Sequence, residues 1–95
     1  MYQPNPIDTS DVVLSPELLE LTEKIAEQVH EVWARGRMDS RWTYAEQRAD
    51  IARTTPCLVP YSQLSEEEKS FDRETALATL RFIMKLGYTI TKNPG

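Results

Sequence analysis

The chain of 95 residues contains one cysteine, one histidine and three glycines, and these shortages exclude several kinds of site. Cys57 cannot form an intramolecular disulfide, so nothing in cysteine usage requires an oxidising compartment. One histidine and one cysteine cannot supply a zinc site by themselves, and no metal site or cofactor is predicted. The glycines are Gly36, Gly87 and Gly95, which excludes a glycine-rich phosphate-binding loop.

The chain also lacks long apolar runs and an excess of basic residues. No run approaches the roughly 18 apolar residues of a membrane span, and residues 1–10 have neither the basic nor the apolar region of a signal peptide. We therefore expect a cytoplasmic protein that does not enter a membrane. The net charge of −4 argues against coating an extended nucleic acid, because that requires many phosphates to be neutralised.

The first of two major helices is predicted from Pro16 to Arg35. Ser15 is a suitable N-cap, and Pro16 fits the first helical position. Gly36 is placed to end the helix as a left-handed cap. Apolar residues recur at the three-and-four spacing of one buried helix face. They are Leu18, Leu21, Ile25, Val29, Val32 and Trp33.

The second major helix is predicted to start with a capping box formed by Ser65 and Glu68 and to end at Gly87. Asp72 favours a kink near Phe71 with a separate helix after it, because aspartate is a good cap and a poor interior residue. The apolar positions again follow a helical period. They are Ala76, Leu77, Leu80, Ile83, Met84 and Leu86.

Shorter segments complete a mainly α domain in which the two major helices are antiparallel. Thr43 to Glu46 resembles a capping box, so residues 44–52 are predicted as a short helix, with an ordered loop as the alternative. Residues 57–61, bracketed by two prolines, are predicted to form a strap over the core. The β-type segments near 12–14 and 88–90 favour a minor two-stranded pairing. Prolines near the start predict an extended arm over residues 1–7, followed by one domain over 8–91 and a tail over 92–95.

An aromatic and basic cluster stands out in this otherwise acidic chain. Five of its seven arginines lie within residues 35–53, where there is no lysine. Arginine binds phosphate or carboxylate with a planar fork and stacks on aromatic rings, so this composition is typical of a site for a base and its phosphates. Trp33 is assigned to the core. The candidate ligand-binding residues are Arg37, Arg41, Trp42, Tyr44 and Arg48.

Alternative interpretations of these residues are structural. The arginines could pair with the acidic helices, and at least one of Trp42 and Tyr44 should pack inward because they point to opposite sides of an extended segment. His30, the only histidine, is expected to face solvent or to bond locally rather than act as a base or metal ligand. No nucleophile and base are visible together, so no enzyme activity is predicted.

Several segments spread along the chain form a recognisable pattern. They are Leu18 to His30, Val32-Trp33-Ala34, Arg37, Trp42-Thr43-Tyr44, Arg48, Pro56-Cys57-Leu58-Val59-Pro60-Tyr61, Leu64, Glu68-Lys69, Asp72-Arg73, Ala76 and Leu86-Gly87-Tyr88. In these segments the ordered chain, from about Pro6 to Ile90, resembles the ryanodine receptor repeat, or RyR domain. One departure is Ala45-Glu46, where family members commonly have Gly-Pro after the Trp-x-Tyr triplet.

The resemblance carries expectations about assembly and ligands. RyR repeats occur in tandem pairs with approximate two-fold symmetry in large intracellular calcium-release channels, and as stand-alone prokaryotic proteins. It therefore implies that this single copy forms a homodimer that imitates the pair. Some repeat pairs are associated with adenine nucleotides, which favours a nucleotide or another phosphorylated molecule as ligand. The expected function is a non-enzymatic ligand-sensing or interaction module, and the alternative is a scaffold domain without a small-molecule ligand.

Overall fold

Two antiparallel helices, α1 (Pro16–Asp39) and α2 (Glu66–Lys85), form the body of the protein in a computed structural model that describes residues 1–94. Leu18 near the start of α1 packs with Leu80 near the end of α2. Further along α1, Glu23 pairs with Arg73 of α2, so the two chain directions oppose each other. The prediction of a mainly α domain with two major helices is thus confirmed. Gly95, the last residue of the predicted tail, lies outside the described residues.

Helix α1 starts as predicted, but it ends later. The Ser15 hydroxyl accepts a hydrogen bond from the Leu18 N–H, which caps the helix start. Gly36 does not end the helix, because the left-handed residue is Arg41, with a φ of 66°. The amide of Trp42 donates to the Arg37 carbonyl at 2.9 Å, and this reversal satisfies carbonyls of the last turn. The arginine thus takes the position that the sequence pattern assigned to glycine.

Helix α2 has the predicted start and the predicted end. Ser65 and Glu68 form a reciprocal capping box, and Gly87 has a φ of 99° beyond the last turn. The predicted kink near Phe71 is wrong, since α2 runs unbroken through Asp72. Asp72 is tolerated inside the helix because its carboxylate approaches the His30 ring rather than capping a new helix start.

Between the helices, a small parallel sheet replaces the predicted short helix. Strand β1 (Thr43–Tyr44) pairs with β2 (Thr54–Thr55), and Thr43 lies opposite Thr54. The Thr43 amide donates to the Arg53 carbonyl at 2.9 Å, so the backbone at the expected cap is already committed to the sheet. Residues 45–53 form the connecting loop, in agreement with the alternative prediction of an ordered loop.

The pairing predicted for segments 12–14 and 88–90 is not formed. The two segments meet through side chains instead, since Val12 and Ile90 both pack against the cluster of Leu14, Leu18 and Leu80. We call this the apolar cluster. The physical reason is that burial of their apolar side chains does not require a hydrogen-bonded ladder, and four residues specify a strand weakly.

A second cluster lies beneath the strap. Ala26 of α1 packs with Tyr61 and Leu64, and Tyr61 opens a 3-10 turn over Tyr61–Gln63. Within residues 1–94, neither helix is both long and apolar enough to cross a bilayer. The molecule is flat, with a radius of gyration of 16.2 Å and extents of 45 × 44 × 23 Å. A compact chain of this length would have a radius of gyration near 12 Å.

Candidate functional site

The end of α1 and the start of the loop that follows it bring Arg37 and Trp42 together. The Arg37 guanidinium carbon lies 4.6 Å from the centre of the Trp42 ring, within the range of a cation–π contact. Both side chains are half-buried. The backbone holds the pair in place, because the Trp42 amide donates to the carbonyl of Arg37 itself. The helix end therefore fixes the geometry of this contact.

Arg48 joins the same tryptophan from the far side of the loop. Its guanidinium carbon lies 6.0 Å from the Trp42 ring centre, and its Nε donates to the Asp50 carboxylate at 2.8 Å. We call Arg37, Trp42 and Arg48 the cation–aromatic cluster. The Asp50 partner raises the pKa of Arg48, so this side chain stays cationic. Arg53 supports the loop by donating to the Ser40 carbonyl at 2.9 Å.

The other two predicted site residues border this cluster. Arg41 is exposed and supplies the left-handed turn after α1, which is a backbone role that the sequence did not indicate. Tyr44 lies in β1 and exposes 55% of its surface. Trp42 is the more buried aromatic residue of the two. Of the five predicted residues, three are in direct cation–π contact and two lie beside them in the chain.

Trp33, which the sequence assigns to the core, also contacts the cation–aromatic cluster. It is half-buried, and the Arg37 guanidinium carbon lies 5.7 Å from its ring centre. Arg37 is therefore within cation–π range of two tryptophans, one on each side of the helix end. Residues 33 and 37 are four apart, a spacing that makes neighbours on a helix. The sequence does not predict this contact, because its pattern ends the helix at Arg35 and α1 continues to Asp39.

His30 is buried, which corrects the expectation that it faces solvent or bonds locally. Only 3% of its surface is exposed, and its Nε2 lies 2.7 Å from the Val59 carbonyl in the strap. Because a carbonyl only accepts, Nε2 carries a proton. The ring stacks on Trp33 with centres 5.5 Å apart, and its Nδ1 lies 3.9 Å from the Asp72 carboxylate. Burial raises the pKa of Asp72.

Cys57 is also tied into the strap. Its thiol donates to the Glu68 carboxylate, the same side chain that closes the capping box of α2. Burial, together with this hydrogen bond, raises the pKa of the Cys57 thiol. The thiol is therefore protonated at neutral pH, and a protonated thiol is a poor nucleophile. This environment agrees with a packing role for Cys57.

Residues 1–94 contain no group of three or more His, Cys, Asp or Glu side chains arranged to hold a metal ion. What the cation–aromatic cluster offers is a different chemistry. Guanidinium groups fixed against an indole can bind oxyanions through their in-plane N–H groups while their faces remain stacked.

Comparison with protein families agrees with the fold and covers nearly the whole chain. The model of the RyR domain family matches residues 2–92. The matched span includes both helices, the strap and the cation–aromatic cluster.

Proposed function

Since the chain belongs to the RyR domain family, we propose that it is a non-enzymatic cytoplasmic module that binds a phosphorylated small molecule such as a nucleotide. The proposed site is the cation–aromatic cluster, bordered by Arg41 and Tyr44. One observation carries the proposal. Arg37 is half-buried against two tryptophans, yet none of the ion pairs among residues 1–94 neutralises it.

The charge of Arg37 favours an anion for a physical reason. Removing a guanidinium from water costs free energy, which a carboxylate usually offsets. Here the indole of Trp42 supplies part of that compensation through its π face. The five N–H donors lie in the plane of the group and point away from the stacking axis. A phosphate can therefore add hydrogen bonds without displacing the contact with Trp42.

The aromatic partners suggest how a base could be held. Tyr44 is exposed and lies two residues after Trp42, so its ring is accessible to a flat ligand. Stacking of a base on an aromatic side chain contributes roughly 1–3 kcal/mol and tolerates different bases. Arg48 is already shared with Asp50, so we assign the larger part of phosphate binding to Arg37.

Calorimetric titration of ATP, AMP and inorganic pyrophosphate into the protein tests the proposal. Wild-type protein should bind at least one of them, and Arg37→Ala should weaken binding about 10- to 100-fold, as expected for loss of a charge-assisted hydrogen bond. Arg35→Ala is the matched control, because Arg35 lies on the same helix and is exposed. The proposal fails if wild-type protein releases no heat with any of the three, or if both variants bind as wild type does.

The scaffold alternative is also favoured by a specific observation. Arginines of this region tie the loop to the end of α1, through Arg37 of the proposed site on Trp42 and through Arg53, outside the site, on the Ser40 carbonyl. If this is their only role, Arg37→Ala will lower the melting temperature while no ligand is found. Arg37→Lys separates the two cases further, since it keeps the charge but loses the planar fork.

We also propose that two copies associate, in the manner of the tandem pairs of the family. The folded chain exposes 7733 Å². A monomeric protein of 10.9 kDa is expected to expose about 5,600 Å². The difference, to which the exposed arm contributes, is larger in total than the roughly 800 Å² per partner that a standard interface buries. Light scattering should give twice the mass of one chain, and a mass of one chain at high concentration would contradict the homodimer.

A further inference from the structure

Helix α2 carries a second apolar face that the fold leaves uncovered. Phe71, Thr75, Ala78 and Phe82 lie within an arc of about 60° at 100° per residue. All four are exposed, Phe71 by 65% and Phe82 by 40%. The buried residues Ala76 and Leu80 lie on the opposite side of the helix. We call the four exposed residues the outer stripe. The helix therefore has two apolar faces, one packed against α1 and one exposed to solvent.

No charged residue interrupts the outer stripe over its three turns. Pro6 and Ile7 of the arm flank it and form one wall of a shallow groove, in which Ala78 and Phe82 lie on the helix side. The wall stands on the side of Thr79. On the other side Glu74 is exposed and Arg81 is half-buried. An uncharged stripe beside a charged edge is the pattern of a helix that pairs with another helix.

We propose that the outer stripe binds the outer stripe of a second copy, so that two α2 helices cross antiparallel on a two-fold axis. This inference rests on the homodimer proposed above and identifies its surface. The axis passes between Ala76 and Leu77. Such an interface is isologous, since the same residues serve on both chains.

The spacing of the stripe matches a two-fold axis at that point. Phe71 and Phe82 are equally distant from it along the sequence, and so are Thr75 and Ala78. In an antiparallel pair, each Phe71 therefore lies against the partner's Phe82, and each Thr75 against the partner's Ala78. The small central side chains let the helices approach closely, and the aromatic pairs at both ends bury most of the apolar area.

Charges along this edge are complementary in the same arrangement. Glu67, Glu74, Arg81 and Lys85 all lie on one side of the stripe, acidic in the first half of the helix and basic in the second. A two-fold axis brings this side against the same side of the partner. Glu74 then lies level with the partner's Arg81 to within about 3 Å along the helix. Glu67 lies level with the partner's Lys85 to within about 1.5 Å, and each Lys85 also pairs with Asp11 of its own chain at 2.9 Å. A parallel pair on a two-fold axis would instead place the charged edge against the partner's Thr79 side.

Two charge-reversed chains test this arrangement. The first carries Glu67→Lys with Glu74→Lys, and the second carries Arg81→Glu with Lys85→Glu. Each edge then has one sign only, so each variant alone should dissociate, with a dissociation constant raised roughly 100-fold or more because like charges face each other. An equimolar mixture should form a heterodimer, because the edges are again complementary. Sedimentation velocity measures the masses, and circular dichroism with a thermal melt checks that both variants stay folded, since Lys85→Glu also removes the ion pair with Asp11.

Phe82→Glu provides a second, independent variant. It should also give a monomer, whereas Ile51→Glu, in the connecting loop and fully exposed, should leave the dimer intact. A monomeric wild-type protein would contradict the homodimer itself. A dimeric wild-type protein whose Phe82→Glu and charge-reversed variants all remain dimeric would overturn the α2 interface and leave the homodimer standing. Monomeric single variants whose mixture stays monomeric would overturn the antiparallel charge pairing.

Discussion

The two packed regions of this molecule are held by different forces. The apolar cluster of Leu14, Leu18 and Leu80 contains no polar side chain and depends on the burial of aliphatic area. The region around His30 depends on directed contacts, with the imidazole bonded to the Val59 carbonyl, stacked on Trp33 and next to the tilted ring of Tyr61. The first region should resist changes of pH and salt. The second lies next to the cation–aromatic cluster, because Trp33 contacts both His30 and Arg37.

The largest expected effect comes from the apolar cluster. Leu80→Ala should destabilise the fold by about 3 kcal/mol, because truncation of a buried leucine loses transfer free energy and leaves a cavity. Urea unfolding of this variant should show a lower midpoint. The decrease in the free energy of unfolding should be the same at pH 5 and pH 7. Leu19→Ala is the control on the exposed face of α1 and should cost below about 1 kcal/mol. If the destabilisation by Leu80→Ala depended on pH, the proposed difference between the two packed regions would be wrong.

His30→Ala should cost less, about 2 kcal/mol, since it removes one directed hydrogen bond and leaves the Val59 carbonyl without its donor. Protection of strap amides against hydrogen exchange should fall more than that of α2 amides. Glu31→Ala, an exposed neighbour on α1, is the matched control. Equal loss of protection in the strap and in α2 would show that the His30 region is not a separate unit.

The ion pair between Glu23 and Arg73 should make the stability of the fold depend on pH. The hydrogen bond from Arg73 holds the pKa of Glu23 below its ordinary value, so the fold favours the ionised form. Its contribution to stability is complete above the ordinary value of 4.5 and is lost as the pH falls through the lower value of the folded state. Glu23→Gln should therefore be less stable near neutrality and lose less stability between about pH 5 and pH 3. Glu27→Gln, exposed on the same helix, is the matched control, and thermal melts across this range measure both variants.

The smallest expected change in stability concerns Gly36, the residue that precedes Arg37 in α1. Gly36 lies inside α1, and no atom comes within 4 Å of the place that an alanine methyl group would occupy. Gly36→Ala should therefore raise stability by about 0.5–1 kcal/mol. Gly87→Ala is the opposite case, because its φ of 99° disfavours any side chain and the melting temperature should fall. A destabilised Gly36→Ala protein would mean that the end of α1 needs a flexible backbone.

Local signals in the sequence predicted the helix starts because those signals are complete within a few residues. Ser15 and the Ser65 box cap the helices through atoms three residues away. The predicted end of α1 is wrong because the left-handed residue after the helix is Arg41, a residue type that adopts this conformation much less often than glycine. Glycine at position 36 satisfied the rule for a cap but was not used as one.

The sequence could predict which residues form the candidate site, but not how their side chains contact each other. The residue types and close spacing of Arg37, Trp42 and Arg48 predict a common site, and the structure places them in contact. The role of Trp33 depended on the true length of α1, and the burial of His30 depended on a strap that lies 29 residues later. Contacts at that separation follow from how the elements pack, which periodicity within one segment does not encode.

The His30–Val59 bond also has a consequence for the order of folding. The caps of α2 close over three residues, so that helix can begin to form on its own. The strap must close a loop of 29 residues before its carbonyl meets the imidazole, and the entropy of that closure is not offset until the helices provide a surface. The strap is therefore expected to dock after the helix pair, as the last step that completes the structure.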